Sequence, residues 1–332
     1  MVITRTPLRV SFFGGGTDYP VWYDKNGGAV ISTSIDKYAY ITCRYLPNFF
    51  DYKHLIKYSK IEKTTSVEEI QHPAVRESIK FLGISEGIEV AYTSDVPAMS
   101  GLGSSSAFTV GLLNALYALR GKVVSKRQLA LDAIYIEQER IKESVGSQDQ
   151  TAAAFGGFNK IEFGGDQKIQ VIPLTIAPTK SQLLQDHLML FFTGLSRHAS
   201  EIACEQIKKT EEKSRDLAQL GSLVHDAHRI LISPEADLEG FGTLLHESWQ
   251  IKRALTDKIT TPTIDAIYEA ALRAGAIGGK LLGAGGGGFI LLFVKPENQA
   301  NVREKLKHFV YVPFTFEHLG SQVIYYEPTT NF

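Results

Sequence analysis

The pattern of apolar and polar positions begins as β and turns helical only after residue 70. Residues 2–5 and 8–13 are predicted strands on either side of Pro7. Residues 29–32 and 38–43 extend this opening, all of it dense in β-branched and aromatic side chains. Residues 45–60 mix aromatic with basic positions and suit a further hairpin. A helix is predicted over 72–82, opened near Pro73 and stopped by Gly83. After a strand at 88–92, helical spacing runs from 107 to 119, with Gly121 as its stop. Ser125-Lys126-Arg127-Gln128 has capping-box spacing and predicts a helix to about residue 143, broken by Gly146. A short helix at 149–155 ends at Gly156-Gly157, and 158–163 with 168–172 reads as a hairpin.

From residue 188 the order is strand (188–193), several helices, strand (288–294), helix (300–308) and two short strands (315–317 and 323–326). Helices with a few strands indicate an α+β layer. The 332 residues suffice for one large or two ordinary domains. No long polar linker separates them, so the expected division, 1–177 and 178–332 about Pro178, joins closely packed units. There is no internal repeat.

Composition narrows the classes. Hydrophobic content of 44% with 21% charged residues describes an ordinary globular protein. A net charge of −1 gives no support to nucleic-acid binding, which usually shows a basic surplus. Cys43 and Cys204 are the only cysteines, too few for a disulfide framework or a cysteine zinc site. Met1-Val2-Ile3-Thr4-Arg5 lacks the apolar core of a signal peptide, and no apolar run approaches the ~20 residues of a membrane span. The expected setting is a reducing cytoplasm, with no membrane partner.

One stretch carries candidate chemistry: Asp95-Val96-Pro97-Ala98-Met99-Ser100-Gly101-Leu102-Gly103-Ser104-Ser105-Ser106-Ala107. A strand precedes it and a helix follows. That order aims free backbone N–H groups and the positive end of a helix dipole at one point, a ready phosphate site. Gly101 and Gly103 remove the Cβ atoms that would hold an anion off the backbone. The three serines suit a helix N-cap, and their hydroxyls can bind phosphate or magnesium. The plain alternative is a flexible turn with a serine cap. It is not the common P-loop, whose nearest approach here is Gly278-Gly279-Lys280, followed by Leu281 where a hydroxyl is required.

Two more stretches change the picture: Pro7-Leu8-Arg9-Val10-Ser11-Phe12-Phe13-Gly14-Gly15-Gly16-Thr17-Asp18-Tyr19 and Gly279-Lys280-Leu281-Leu282-Gly283-Ala284-Gly285-Gly286-Gly287-Gly288-Phe289. With Gly101 to Ser106 between them, they resemble the three ordered motifs of the GHMP kinases. Phe13 to Asp18, together with Ile35-Asp36-Lys37-Tyr38, Thr193-Gly194-Leu195-Ser196-Arg197 and His246-Glu247-Ser248-Trp249, is similar to the D-glycero-D-manno-heptose 7-phosphate kinases within that family. The resemblance implies an α+β fold of two domains: an N-terminal one like the second domain of ribosomal protein S5 and a ferredoxin-like C-terminal one. It also implies an active site between them, using ATP and Mg²⁺.

The resemblance also implies roles. Pro97 and Ser100 to Ser106 (Ser100, Gly101, Leu102, Gly103, Ser104, Ser105, Ser106) would hold ATP. Asp149 precedes Ala154-Phe155-Gly156-Gly157, an ending like that after the family's catalytic aspartate. Following a glycine break, it could project into a cleft; capping its helix is the plain alternative. Arg9 would stabilise the transferring phosphoryl group, or form a structural salt bridge. Glu139 would hold Mg²⁺ with Ser104, with Glu137 as the competing candidate and a solvated helix face as the plain reading. Gly15, Gly16, Thr17 and Asp18 would bind the sugar, and Gly285 and Gly286 would close over it. A phosphate already on the substrate needs basic residues on the sugar side of the cleft: Arg197 and Lys37 are the candidates, Lys25 and Arg44 the weaker ones, and a plain surface charge is the alternative for each. The expected reaction phosphorylates the anomeric C1 hydroxyl of the heptose 7-phosphate, with ATP and the sugar phosphate as small-molecule partners. A homodimer is left open. Alternatives are a kinase for an unphosphorylated sugar such as fucose or galactose, and a non-catalytic sensor that binds sugar and ATP.

Overall fold

A computed structural model describes residues 1–98, 100–165, 168–195 and 199–327. The chain opens with strand β1 (Val2–Phe13), helix α1 (Pro20–Asn26), the long strand β2 (Gly28–Tyr45) and the hairpin β3 (His54–Lys57) and β4 (Ile61–Thr64). Then come α2 (Pro73–Leu82), β5 (Ile88–Ser94), α3 (Ser104–Leu119), α4 (Lys126–Tyr135), α5 (Gln148–Phe155) and the hairpin β6 (Phe158–Phe163) and β7 (Ile169–Pro173). The second half holds α6 (Pro178–Asp186), β8 (Leu188–Phe192), α7 (Ala199–Lys208), α8 (Ser214–Ile232), α9 (Glu239–Arg253) and α10 (Pro262–Arg273). It ends with β9 (Ala276–Leu281), β10 (Phe289–Val294), α11 (Gln299–Lys305), β11 (Val310–Tyr311), β12 (Phe316–Glu317) and β13 (Gln322–Tyr326).

The first sheet has nine strands built around β2. One edge of β2 pairs antiparallel with β1; the other serves β6 over 28–33, β12 at Ser34 and Ile35, and β5 over 39–45. The expected pairs of short strands are therefore two long ones. Pro7 marks a register shift rather than a break: Pro7 faces Tyr38 and Leu8 faces Ile35. A residue without an N–H cannot donate to the ladder, and a bulge accommodates it. The second sheet is antiparallel, in the order β11-β8-β10-β9. Its β9, α6 and β11 were not foreseen.

The closing strands β12 and β13 cross back to pair with β2 and β1, so 178–332 does not all lie with the second sheet. We keep a division near 178 as a proposal, with this return included. Phe241 of α9 packs edge-on against Phe12 and Phe13 of β1, at 5.4 and 5.1 Å between ring centroids, so one core runs across both layers. The predicted long helix after Ser125 begins as expected, its cap accepting from the Gln128 N–H at 3.1 Å. It ends early, in a π-helical turn over Ile136–Arg140 followed by Lys142 at φ 61. Cys43 and Cys204 are both free thiols. Among the described residues, no helix is long and apolar enough to cross a membrane.

Candidate active site

The glycine–serine stretch joins β5 to α3 as the pattern predicts, with one change. Gly103, at φ 75, is itself the residue before the helix; the serines form its first turn. No side chain caps that end, so the first-turn N–H groups of a 16-residue helix are left for a ligand. Two glycine loops interlock behind it. A Cβ on Gly101 would lie 2.5 Å from the Leu282 carbonyl oxygen, and one on Gly283 would lie 2.6 Å from the Gly101 Cα. Backbone packing accounts for the glycines of 283–288: Gly283 and Gly288 hold the first loop at Gly101 and Ser100, while Gly285 packs on Ile259 and Gly287 on Leu195.

Arg9 and Asp149 meet across this loop. The Arg9 guanidinium donates from Nε and Nη2 to the two carboxylate oxygens of Asp149 at 2.9 and 2.8 Å, and from Nη1 to the Gly101 carbonyl at 2.7 Å. Its backbone N–H donates to Leu102 at 3.0 Å. Arg9 is buried, whereas the Asp149 side chain keeps 26% of its exposure and opens onto the cavity. Arg9 thus makes the salt bridge of its plain reading, whereas Asp149 lies in the first turn of α5 without capping it: the N-cap is Ser147, and no side chain caps that end. The pair nonetheless lines a cavity of about 230 Å³ together with Gly101, Gly103 and the three serines.

Asp18 lines the same cavity. The Gly16 N–H donates to its Oδ1 at 3.0 Å, and Gly146 gives it room: a Cβ there would lie 1.9 Å from Oδ2. Burial raises its pKa, with the Asp149 charge adding to the rise and the Gly16 N–H opposing it. Gln148, which accepts from the Ser11 hydroxyl at 2.7 Å, also faces the cavity.

The two glutamates separate clearly. Glu139 is exposed, and neither it nor Glu137 is among the residues lining the cavity. Glu137 is buried one turn behind the serines. Its Oε2 accepts from the Ser106 hydroxyl at 2.9 Å and from Gln150, while its Oε1, near the Thr109 side chain, has no partner within hydrogen-bond geometry among the described residues. Burial pushes its pKa up to about 7 despite those bonds. An orphaned carboxylate oxygen beside a serine hydroxyl at the end of the anion loop is a donor set of the hard-oxygen kind that magnesium takes. Glu137 faces inward because it is in phase with Leu129, Ala130, Ala133 and Ile136, all buried.

Several other expected residues serve the scaffold. Pro97 is exposed, and Leu102 is buried in the core. Ser100 lies behind the loop, its carbonyl accepting from the Phe289 N–H at 3.1 Å. The Thr17 hydroxyl is tied to the backbone of Gly14 and Ala29, at 2.8 Å and 3.1 Å. Gly285 and Gly286 pack on Ile259, the latter through an N–H bond of 2.8 Å, and leave Gly283 and Ala284 to line the cavity. Lys37 pairs with Asp36 at 2.9 Å, away from the cavity. Arg197 lies outside the described residues. Lys280 belongs to β9, where its ammonium donates to the Phe12 carbonyl at 2.8 Å. Gly15 and Gly16 do line the cavity.

Three charged residues that line the cavity were not anticipated there: Glu143, Lys252 and Lys280. Lys252, in the last turn of α9, is buried, donates to the Gly283 carbonyl and faces Asp18 and Asp149.

The chain matches the GHMP kinases N terminal domain over residues 68–157 and the GHMP kinases C terminal domain over 232–312. It is 31% identical over 320 residues to the D-glycero-alpha-D-manno-heptose 7-phosphate kinase of Campylobacter jejuni, covering 92% of each chain. It is 29% identical over 312 residues to the mevalonate kinase of Pyrococcus horikoshii, covering 91% of this chain and 83% of that one. A solved structure described as a D-glycero-D-manno-heptose 1-phosphate kinase from Bacteroides thetaiotaomicron superposes with a TM-score of 0.80 at 24% identity, over 98% of this chain and 100% of that one, a likeness of fold. With both domain matches in order and a relative above 30% identity along nearly its whole length, the chain belongs to the GHMP kinase family and is a phosphotransferase with an alcohol group as acceptor.

Proposed function

We propose that this protein transfers the γ-phosphoryl group of ATP to the anomeric C1 hydroxyl of D-glycero-D-manno-heptose 7-phosphate. The product would be the 1,7-bisphosphate, used in the cytoplasm for nucleotide-activated heptose and surface polysaccharide. The observation that carries the transfer is the Arg9–Asp149 pair at the open end of an uncapped anion loop. The N–H groups of Ser104, Ser105 and Ser106 would hold the ATP phosphates. Arg9, with three of its five N–H groups already fixed, would set its charge against the moving phosphoryl group. Asp149 would accept the hydrogen bond of the acceptor hydroxyl and draw its proton.

Glu137, with Ser104 and Ser106, would hold magnesium, which when bound spreads the charge of the phosphates. Glu137→Gln should then raise the magnesium concentration for half-maximal rate by about 10- to 100-fold. Glu139→Gln should leave it unchanged. Equal magnesium dependence in the two variants would move the metal site elsewhere.

The sugar-phosphate reading has two supports. One is the Campylobacter relative. The other is a basic patch beside the main cavity: Lys209 and Lys213 line, with Thr210, a crevice of only about 10 Å³ that shares Gly16, Tyr19 and Gln206 with it. Among the described residues these lysines make only long ion pairs, 3.7 Å from Lys209 to Glu205 and 3.5 Å from Lys213 to Asp216. The test is ADP release with Mg-ATP across a panel of sugars and sugar phosphates. Heptose 7-phosphate should give the highest kcat/KM. Equal use of unphosphorylated heptose would defeat the substrate assignment and leave the kinase.

A further inference from the structure

Asp18 and Lys252 face each other inside the main cavity without touching. Both are buried, and each bears on the other's charge. Yet among the described residues no ion pair joins them within 4.0 Å, and the one hydrogen bond of the Lys252 ammonium goes to a neutral carbonyl, that of Gly283. Asp18 accepts from the Gly16 N–H and from Gln148 but has no cation in contact, and a desolvated ammonium with no carboxylate in contact is costly unless something completes it. The other charged groups around Lys252 are already committed. Arg9 of β1 is bound to Asp149 of α5 and to Gly101, and Lys280 of β9 is bound to Phe12. What is left without a counter-charge in contact is therefore one acceptor of hydrogen bonds, Asp18, and one donor, Lys252, both lining the same cavity.

A polyol hydroxyl serves both with a single group, because it donates its proton in one direction and accepts in another. We propose that Lys252 is an acceptor-binding residue, whose ammonium donates to a sugar hydroxyl that in turn donates to Asp18. The two residues come from different layers, Asp18 from the loop after β1 and Lys252 from α9. The bond to Gly283 also links the lysine to the loop that braces Gly101. Acceptor binding thereby ties both layers and the brace together. This assignment rests on the sugar-kinase reading.

Lys252 also carries a titration signature. Burial lowers its pKa to about 8, with Asp18 opposing the shift and Arg9 adding to it. A protonated donor is required, so acceptor binding should weaken as pH rises through about 8. Lys252→Met removes the charge at similar length and relieves a desolvated cation, so the variant should fold.

The experiment measures kcat/KM for the acceptor and KM for ATP in the wild type, Lys252→Met and Lys252→Arg, with acceptor affinity by calorimetry in the absence of ATP. Lys252→Met should lose about 10- to 150-fold in acceptor kcat/KM and in acceptor affinity, the range for a charge-assisted hydrogen bond, with ATP KM little changed. Lys252→Arg, whose guanidinium keeps its charge, should move the alkaline limb upward. Unchanged acceptor affinity in a folded Lys252→Met overturns the proposal. So does an equal loss for both substrates with a lowered melting temperature, which marks a purely structural lysine. A wild type that phosphorylates no polyol defeats the sugar-kinase reading itself, a result separate from these.

Discussion

Asp149→Asn should lower kcat by about 10²–10⁴-fold, the usual contribution of a general base, while ATP affinity stays near that of the wild type. The amide keeps the shape of the side chain but has no charge and only one accepting oxygen. Asp149 touches Arg9 through both oxygens, so the change has a structural arm as well. Breaking a fully buried ion pair from one side costs about 3–5 kcal/mol. Here the Asp149 side chain is 26% exposed and Arg9 keeps its bond to Gly101, so the loss should fall short of that figure. The kinetic and structural arms separate by measurement. A melting curve records the second, and single-turnover transfer at saturating ATP records the first. Near-normal turnover in a folded variant removes Asp149 from the mechanism and leaves it as the partner of Arg9.

The residues legible in the sequence are those whose roles depend on short-range backbone geometry. The glycines of 101–103, the serines after them and the aspartate at the start of α5 stand in local patterns, and the structure brings them together at one cavity. Glu137 was within reach of the pattern. It falls in phase with Leu129, Ala130 and Ala133, whereas Glu139 falls on the solvent side. Lys252 was not within reach. Trp249-Gln250-Ile251-Lys252-Arg253 reads as the basic last turn of a surface helix, and only the packing of α9 on β9 and the glycine loop buries its fourth residue. The return of β12 and β13 to the first sheet was hidden for a related reason. A short strand shows its alternation but not its partner, and here that partner lies some 280 to 320 residues away.

The phosphate loop makes the second large prediction, and its geometry decides what a side chain at Gly103 would do. Gly103 sits at φ 75, which a β-branched residue adopts only with strain. The added Cβ would stand 3.3 Å from Arg9 Cγ and 3.3 Å from Asp149 Oδ2. Those contacts are tight but not prohibitive for a methyl; the two further methyls of valine must displace the ion pair or the loop. Gly103→Val should therefore weaken ATP binding and lower transfer together, by about 10²-fold or more, since displacements near 1 Å suffice for such losses. Gly103→Ala should show the same direction at smaller size, because it keeps the strained φ but lacks the branches. The signature differs from that of Asp149→Asn, where ATP binding survives. Calorimetry that finds wild-type ATP affinity in a folded Gly103→Val would mean that the nucleotide phosphates do not sit on this loop. The uncapped end of α3 would then need another ligand.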